Sequence, residues 1–551
     1  MEPNSLQQHH LTETGSILMK HRKTAVRALI AGGLMMGAAS AANAETFKWA
    51  FQGDLQTLDP HGLFETMTLG FQRNIYEGLV IRNDKMEMEG ALAEKWENVN
   101  PTTWRFHLRK GVKFHAGGDM KADDVKFSVE RLSTEGSDMK VVAALIKEAK
   151  IIDDYTVDII TPAPNPILPL QLEIFYIMDK QWAEEHKAVA ATNVKGGDEG
   201  NYANLNANGT GPFMVTSRQS GVKTVLKRNP NYWGKLKTNI TEAIFTPIDQ
   251  DATRVAALIS GNVDMAYPIP VQDWKRLEDA DGVKPLTGPE ARTIFLGFDQ
   301  ARDELTTSNI KGKNPFKDVR VRKAFMQAIN IDAIKEKIMR GAATPTGQMV
   351  APQINGFNEA LNKRLPYDVD AAKKLMAEAG YADGFEVTMD CPNNRYVNDE
   401  KICQASASML AKINVKVNLL AQPKSKYFGK VLAQNNYDTS FFLLGWTPST
   451  FDSHNVISAL MACRGGEDKI GAFNLGGYCN KRINELTAMI QEETDQAKRQ
   501  AMIDEAFKIH QDEVGHIPLH QQPLSWGVSD KVEVVQRPDN AFDLRYAVVK
   551  K

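Results

Sequence analysis

Four sets of residues have the types and spacing to do chemistry. The first is a turn. An apolar run, Phe441 to Leu444, reads as a buried strand and stops at Gly445; Trp446 follows, with Ser449, Asp452 and His454 close behind and a helix-like run from Val456 to Met461. Strand, polar turn and helix is where open α/β sheets bind ligands, outside the carboxyl ends of their strands. An indole offers a flat amphipathic wall and the oxygens beside it are acceptors, so the turn predicts recognition of a small molecule. The second set is Glu65 and Thr66, at the turn before a run with Met67, Phe71 and Ile75 at helical spacing. A helix start offers free backbone N–H groups to a ligand; the plainer reading is an N-cap. The third is His510, His516 and His520 with Asp512. These invite a metal, but Ile517-Pro518-Leu519 reads as a strand start whose side chains point alternately, so no metal site is expected. The lone His107 and His115 lie near strands and read as satisfied histidines. The fourth is four cysteines, Cys391, Cys403, Cys463 and Cys479. They allow three pairings, of which two local loops, 391 with 403 and 463 with 479, are the simplest; zinc is the rival, without close C-x-x-C spacing in its favour.

Catalysis finds little support. The chain has no G-x-S-x-G elbow and no H-E-x-x-H, and its cysteines read as paired. Ser449 and His454 are near in sequence, but a nucleophile and its base are recognised by geometry. A non-enzymatic binder with no cofactor is expected.

The elements that must hold these residues follow from length and pattern. At 551 residues the chain exceeds one hydrophobic core. With 42% hydrophobic and 24% charged residues it is an ordinary globular composition, and a formal charge of −2 without a basic block makes nucleic acid an unsuitable partner. The amino end reads as an address. Lys20 to Arg27 is basic, Ala28 to Ala39 is a short apolar core, and Ala42-Asn43-Ala44 is an A-x-A cleavage site before Glu45. Residues 1–18 do not fit that pattern, so Met19 is expected to be the start. The first cysteine is Cys391, so no lipid anchor is expected at the processed end. A soluble periplasmic protein is the expectation, and cysteine pairs suit that compartment.

Along the chain, Phe47 to Gln52 reads as a first strand. Trp104 to Leu108 alternates, Asp123-Asp124 caps a helix, and Asn208 to Phe213 (NGTGPF) is a backbone bend. The polar, glycine-containing Thr306 to Asn314 reads as a linker. Beyond it, helices capped by Asp318 and Asp368 alternate with strands at Phe385–Met389, Val415–Leu420 and Tyr437–Leu444, which implies a mostly parallel sheet. The tail from Leu524 is strand-rich, as if returning to the first domain.

The stretch Trp104 to Arg131 (WRFHLRKGVKFHAGGDMKADDVKFSVER) resembles the extracytoplasmic solute-binding proteins of family 5, the peptide- and nickel-type receptors of ABC importers. The likeness continues through NGTGPF, NPNYW (229–233), AALISGNVD (256–264) and DVRVRKAFMQAINID (318–332). It implies an α/β, two-lobed periplasmic-binding-protein fold of class II, cluster C type, with an extra inserted domain. The lobes would hinge shut on a ligand. The expected division is residues 45–85, 201–310 and 524–551 for lobe I, 86–200 for the inserted domain, and 311–523 for lobe II. The implied partners are a peptide or small-molecule ligand and the permease and ATPase subunits of an importer; a monomer is usual. In dipeptide-binding members an Asp that holds the peptide's amino group stands where this chain has Ser449, and Asp452 matches a second Asp. Arg395, followed by Tyr396, falls where such proteins hold the carboxylate, and a guanidinium suits that role. Losing the Asp moves weight toward ligands without a free α-amino group, such as modified peptides, opine-like conjugates, sugars or chelated metals, since one hydroxyl is a poor substitute for an anion. The expected ligand set is Trp446, Ser449, Asp452, Arg395, Tyr396, Glu65 and Thr66.

Overall fold

The computed structural model describes residues 45–198, 200–465 and 470–550. The leader, its cleavage site and the start at Met19 lie outside the described residues.

One long sheet runs through both lobes. Its strand order is Lys416–Gln422, Glu386–Pro392, Phe441–Trp446, Val283–Phe298, His516–Ser529, Met265–Tyr267, Glu45–Phe51, Ile240–Pro247, Lys223–Arg228 and Phe213–Gln219. The two longest strands, Val283–Phe298 and His516–Ser529, pair antiparallel with each other along their length and join the lobes. At one end His516–Ser529 meets Met265–Tyr267, which lies parallel to Glu45–Phe51. At the other, Val283–Phe298 meets Phe441–Trp446, which lies parallel to Glu386–Pro392. The register between the two crossing strands breaks between Pro289 and Thr293. A proline cannot donate to the ladder, and Pro289 faces Pro523, so pairing is weakest where the lobes meet.

The segment Thr306–Asn314 does not cross between the lobes. Ser308 Oγ donates to Glu386 O at 2.7 Å and Thr388 N to Thr307 O at 3.0 Å, so it runs along the second lobe's sheet. The crossing is made by Val283–Phe298 and His516–Ser529, whose meeting stretch carries the buried polar residues Glu290, Arg292, Gln521 and Gln522.

Local expectations hold in the second lobe, but its sheet is mixed where a mostly parallel one was expected: Glu386–Pro392 runs parallel to both its neighbours, whereas Val283–Phe298 pairs antiparallel with Phe441–Trp446 and His516–Ser529. Asp318 accepts from Arg320 N and caps Val319–Ala328; Asp368 accepts from Ala371 N and caps Val369–Glu378. Gly380 closes the latter helix at φ +85°, a left-handed turn that glycine takes without strain. Val321, Phe325 and Ala328 are fully buried in that lobe's core with Phe316, Phe385 and Phe441. A separate four-stranded antiparallel sheet, Ala93–Asn100, Thr103–Leu108, Thr156–Ile160 and Glu148–Asp153, carries the helix Ala122–Arg131. That helix ends in Arg131, whose guanidinium forms a bidentate pair at 2.6 Å and 2.6 Å with Asp59, both side chains fully buried. The cysteines join as Cys391–Cys403 and Cys463–Cys479. Among the described residues no helix is long and apolar enough to cross a membrane.

Candidate functional site

A cleft lies where the lobes meet and is lined by Glu65, Thr66, Tyr267, Arg292, Arg395 and Asn540 among others. Three of the residues expected from the sequence, Glu65, Thr66 and Arg395, therefore share one space. Glu65 caps the helix Thr66–Gln72: its Oε2 accepts from Thr68 N at 2.9 Å and Thr68 Oγ1 at 3.0 Å, and its Oε1 meets no protein donor among the described residues. The N-cap reading of Glu65 is thus correct, and one carboxylate oxygen still remains for a ligand.

Arg395 stands on the loop after the strand Glu386–Pro392. Its backbone N–H and that of Tyr396 both donate to Asp399 Oδ2, at 2.9 Å and 3.0 Å, while Glu400 N donates to Oδ1. Burial pushes the Asp399 carboxyl up to about 6, against the pull of those N–H bonds. The Arg395 guanidinium lies 5.1 Å from the Tyr396 ring centroid and has no protein acceptor among the described residues. Tyr396 is itself buried and does not line the cleft; its hydroxyl donates to Gly445 O at 3.2 Å, which fixes the ring under the guanidinium. Gly445 leaves no free room for a side chain. A Cβ there would come within 2.8 Å of Tyr396 Cε1 and 2.7 Å of Ile294 Cδ1.

Trp446 lies on the other side of this strand end, because consecutive strand residues face opposite ways. It is half-buried, its Nε1 donates to Asn455 Oδ1 at 2.9 Å, and its ring meets Phe473 at 4.8 Å. It is not among the residues lining the cleft of Arg395. Unpaired hydroxyls occur close by: Ser449 is half-buried without a partner among the described residues, and Thr447 Oγ1 and Thr293 Oγ1, the latter on the residue paired with Trp446, are buried and unpaired. The turn faces the other lobe. Arg82 Nη2 donates to Thr450 O at 2.7 Å and its guanidinium covers the Phe451 ring at 5.0 Å. Gln272 Nε2 donates to Asn398 Oδ1 at 2.9 Å, a second contact between lobes.

Asp452 is not placed to accept from a ligand, and the expectation for it is corrected. It is fully buried, and both oxygens are engaged. Arg499 Nη2 and Nη1 donate to Oδ1 and Oδ2 at 2.7 Å and 2.8 Å, Asn355 Nδ2 to Oδ2 at 2.7 Å, and His454 N to Oδ1 at 2.9 Å. Burial raises its pKa, but Arg499 overrides this and holds the carboxyl below its ordinary value. Its partner lies 47 residues further on, in a polar helix that carries no signal of a buried pair. His454 is equally occupied: Nε2 sits 3.1 Å from Thr487 O, and burial lowers its pKa to about 4, so it is neutral at pH 7. His510 and His516 bond each other at 2.9 Å, and no group of three metal-ligating side chains occurs among the described residues. Sequence reasoning missed Arg292, the one base within the apolar run Ala291–Phe298.

The family model described as bacterial extracellular solute-binding proteins, family 5 Middle, matches residues 87–468. The chain belongs to that family. This family 5 protein, a solute-binding protein of the ABC-importer type, is 26% identical over 509 residues to the glutathione-binding protein GsiB of Escherichia coli (strain K12), covering 92% of this chain and 94% of that one. Its fold matches DppA of Helicobacter pylori in complex with the peptide STSA, with a TM-score of 0.79, 23% identity and coverage of 92% and 98%. It also matches AgaA in complex with agropinic acid from A.tumefacien R10, with a TM-score of 0.77, 22% identity and coverage of 92% and 99%. The family 5 protein thus has the two-lobed α/β fold that the sequence resemblance implied.

Proposed function

We propose that this protein is the exported, periplasmic receptor of an ABC importer. It captures a peptide-like small solute bearing a carboxylate and hands it unaltered to a membrane permease and its ATPase. It acts as a monomer, with residues 86–200 as a small domain carried on the first lobe. The observation that carries the reading is the convergence of Glu65 from one lobe and Arg395 from the other on one cleft beside the crossing strands. A solute with a positive and a negative end bridges them and favours the closed arrangement, and that difference in affinity is all the mechanism requires. Tyr396 and Asp399 position Arg395. Trp446 and Ser449, with the unpaired hydroxyls of Thr293 and Thr447, offer a second surface apart from that cleft, and Asp452 holds the turn that carries it.

A second reading, an opine-like conjugate as solute, is favoured by one residue. Ser449 stands where the resembling dipeptide binders carry their amine-holding Asp, and a structural neighbour was solved with agropinic acid. Native mass spectrometry of protein purified from its own host tests both. A single adduct of a few hundred daltons, lost on denaturation and restoring thermal stability when added back, is the expected result. A protein that carries nothing and is stabilised by no peptide or conjugate would overturn the proposal.

A further inference from the structure

Arg292 is the residue in the cleft that the reading above leaves without a role. It sits on the crossing strand inside the register break, beside Pro289. It is 4% exposed and lines the cleft. Its Nε donates to Glu290 Oε1 at 2.8 Å; Glu290 is fully buried, and its second oxygen accepts from Gln522 Nε2 at 2.6 Å. One edge of the guanidinium is therefore fixed from behind. The other edge, Nη1 and Nη2, meets no protein acceptor among the described residues. Burial works against the charge, and Glu290 beside it, with Tyr396 and Glu65, keeps the group protonated.

The Nη edge opens to the cleft, so an acceptor that enters there meets a guanidinium already held in place. The edge formed by Nη1 and Nη2 matches the two oxygens of a carboxylate, and a single carbonyl would leave one nitrogen unmet. Arg395 offers the same unmet donors from the second lobe. Both guanidiniums lie against one ring, Tyr396, at 5.8 Å and 5.1 Å from its centroid. Facing them is the free Oε1 of Glu65, an acceptor suited to an ammonium. The charged side chains that line the cleft are thus two cations and one anion.

We infer that Arg292 is a second acid anchor, so that the solute carries two carboxylate groups together with one amine. This rests on the reading of the cleft as the solute site. The chemical class is small: acidic or γ-linked di- and tripeptides, and amino-acid conjugates with a second acid group. Glu65 takes over the amine that Ser449 cannot hold, so a free amine is retained after all. Because Arg292 stands at the break between the crossing strands, engaging it fixes the solute to the hinge itself.

The test uses two pairs of probes that differ by one acidic group, the first pair near-isosteric. They are Ala-Glu against Ala-Gln, and glutathione against its glycine ethyl ester, titrated calorimetrically on the wild-type protein, Arg292→Gln and Arg292→Lys. The expected result is that the wild type prefers the doubly acidic member by tenfold or more. Arg292→Gln cuts that preference below twofold with little effect on the singly acidic member, and Arg292→Lys restores part of it. The preference is a ratio within one variant, so partial loss of folded protein does not mimic it. Equal binding of both members by the wild type, or an undiminished preference in Arg292→Gln, overturns the inference and leaves the cleft as a solute site. If neither pair binds, the solute released from host-purified protein decides: two acid groups and an amine support the inference, and fewer contradict it. No binding and no recovered solute would remove the reading of the cleft and the inference with it.

Discussion

Replacing Asp452 with Asn separates holding the turn from holding the solute. The wild-type carboxylate is fully buried and receives four hydrogen bonds, two of them from Arg499, whose third nitrogen is tied to Ile490 O at 3.0 Å. The Asn amide matches the carboxylate in shape but turns an NH2 toward a guanidinium. Arg499 then remains buried with its charge uncompensated, which costs about 3–5 kcal/mol. With an unfolding entropy of about 2.1 cal/mol/K per residue, a chain of this length changes by roughly 1 kcal/mol per degree, so Tm falls by about 3–5 °C. Below the ordinary aspartate pKa the gap closes: the depressed wild-type carboxyl stabilises above that value and loses its contribution as pH falls through the lowered one. Differential scanning calorimetry reads Tm, and titration calorimetry with the host-derived solute reads affinity on the same samples. Affinity stays within about threefold, because no oxygen of Asp452 is available to a ligand. An unchanged Tm with a tenfold or larger loss of affinity would refute the assignment and return Asp452 to the solute.

Three further outcomes follow from the geometry. Gly445→Ala places a Cβ 2.8 Å from Tyr396 Cε1, an overpacking worth about 1–3 kcal/mol, and lowers solute affinity through the displaced Tyr396 and Arg395; unchanged binding would show that Tyr396 does not position the arginine. Asp399→Asn removes a carboxyl raised to about 6. The wild type gains stability relative to the variant as pH falls from 7 toward 4, by up to about 3 kcal/mol at roughly 1.4 kcal/mol per unit; a flat difference across that range in thermal melts would contradict the burial argument. Arg82→Ala removes a contact between the lobes without touching the cleft that holds Arg395, so stopped-flow binding shows faster release, by about three- to tenfold, at an unchanged association rate; a slower association with normal release would contradict it.

What could be read ahead of the structure follows from how far each signal reaches along the chain. Caps are local, so Asp318 and Asp368 were legible and both accept the expected backbone N–H. The apolar run ending at Gly445 marked a strand end, and the two short cysteine loops were the simplest pairing and the one found. The lobe crossing was not legible in Thr306–Asn314, because a polar, glycine-containing stretch marks a surface segment, whereas the crossing is made by two long paired strands far apart in the chain. Asp452 looked like a ligand residue because its partner Arg499 is distant in sequence, and the same distance hides why Tyr396 needs Gly445 beside it. Arg292 leaves a single mark, a base inside an apolar strand, and only the buried Glu290 and the unmet Nη edge show what kind of base it is.

The most direct measurement is titration calorimetry of the host-derived solute against the wild-type protein and the Arg395→Ala variant, with the recovered solute weighed afterwards. The expected result is one solute per chain, returned with its mass unchanged, and an affinity at least tenfold weaker in the variant. An altered mass, or equal binding by both proteins, would contradict a clamp that grips its cargo between the lobes and releases it intact.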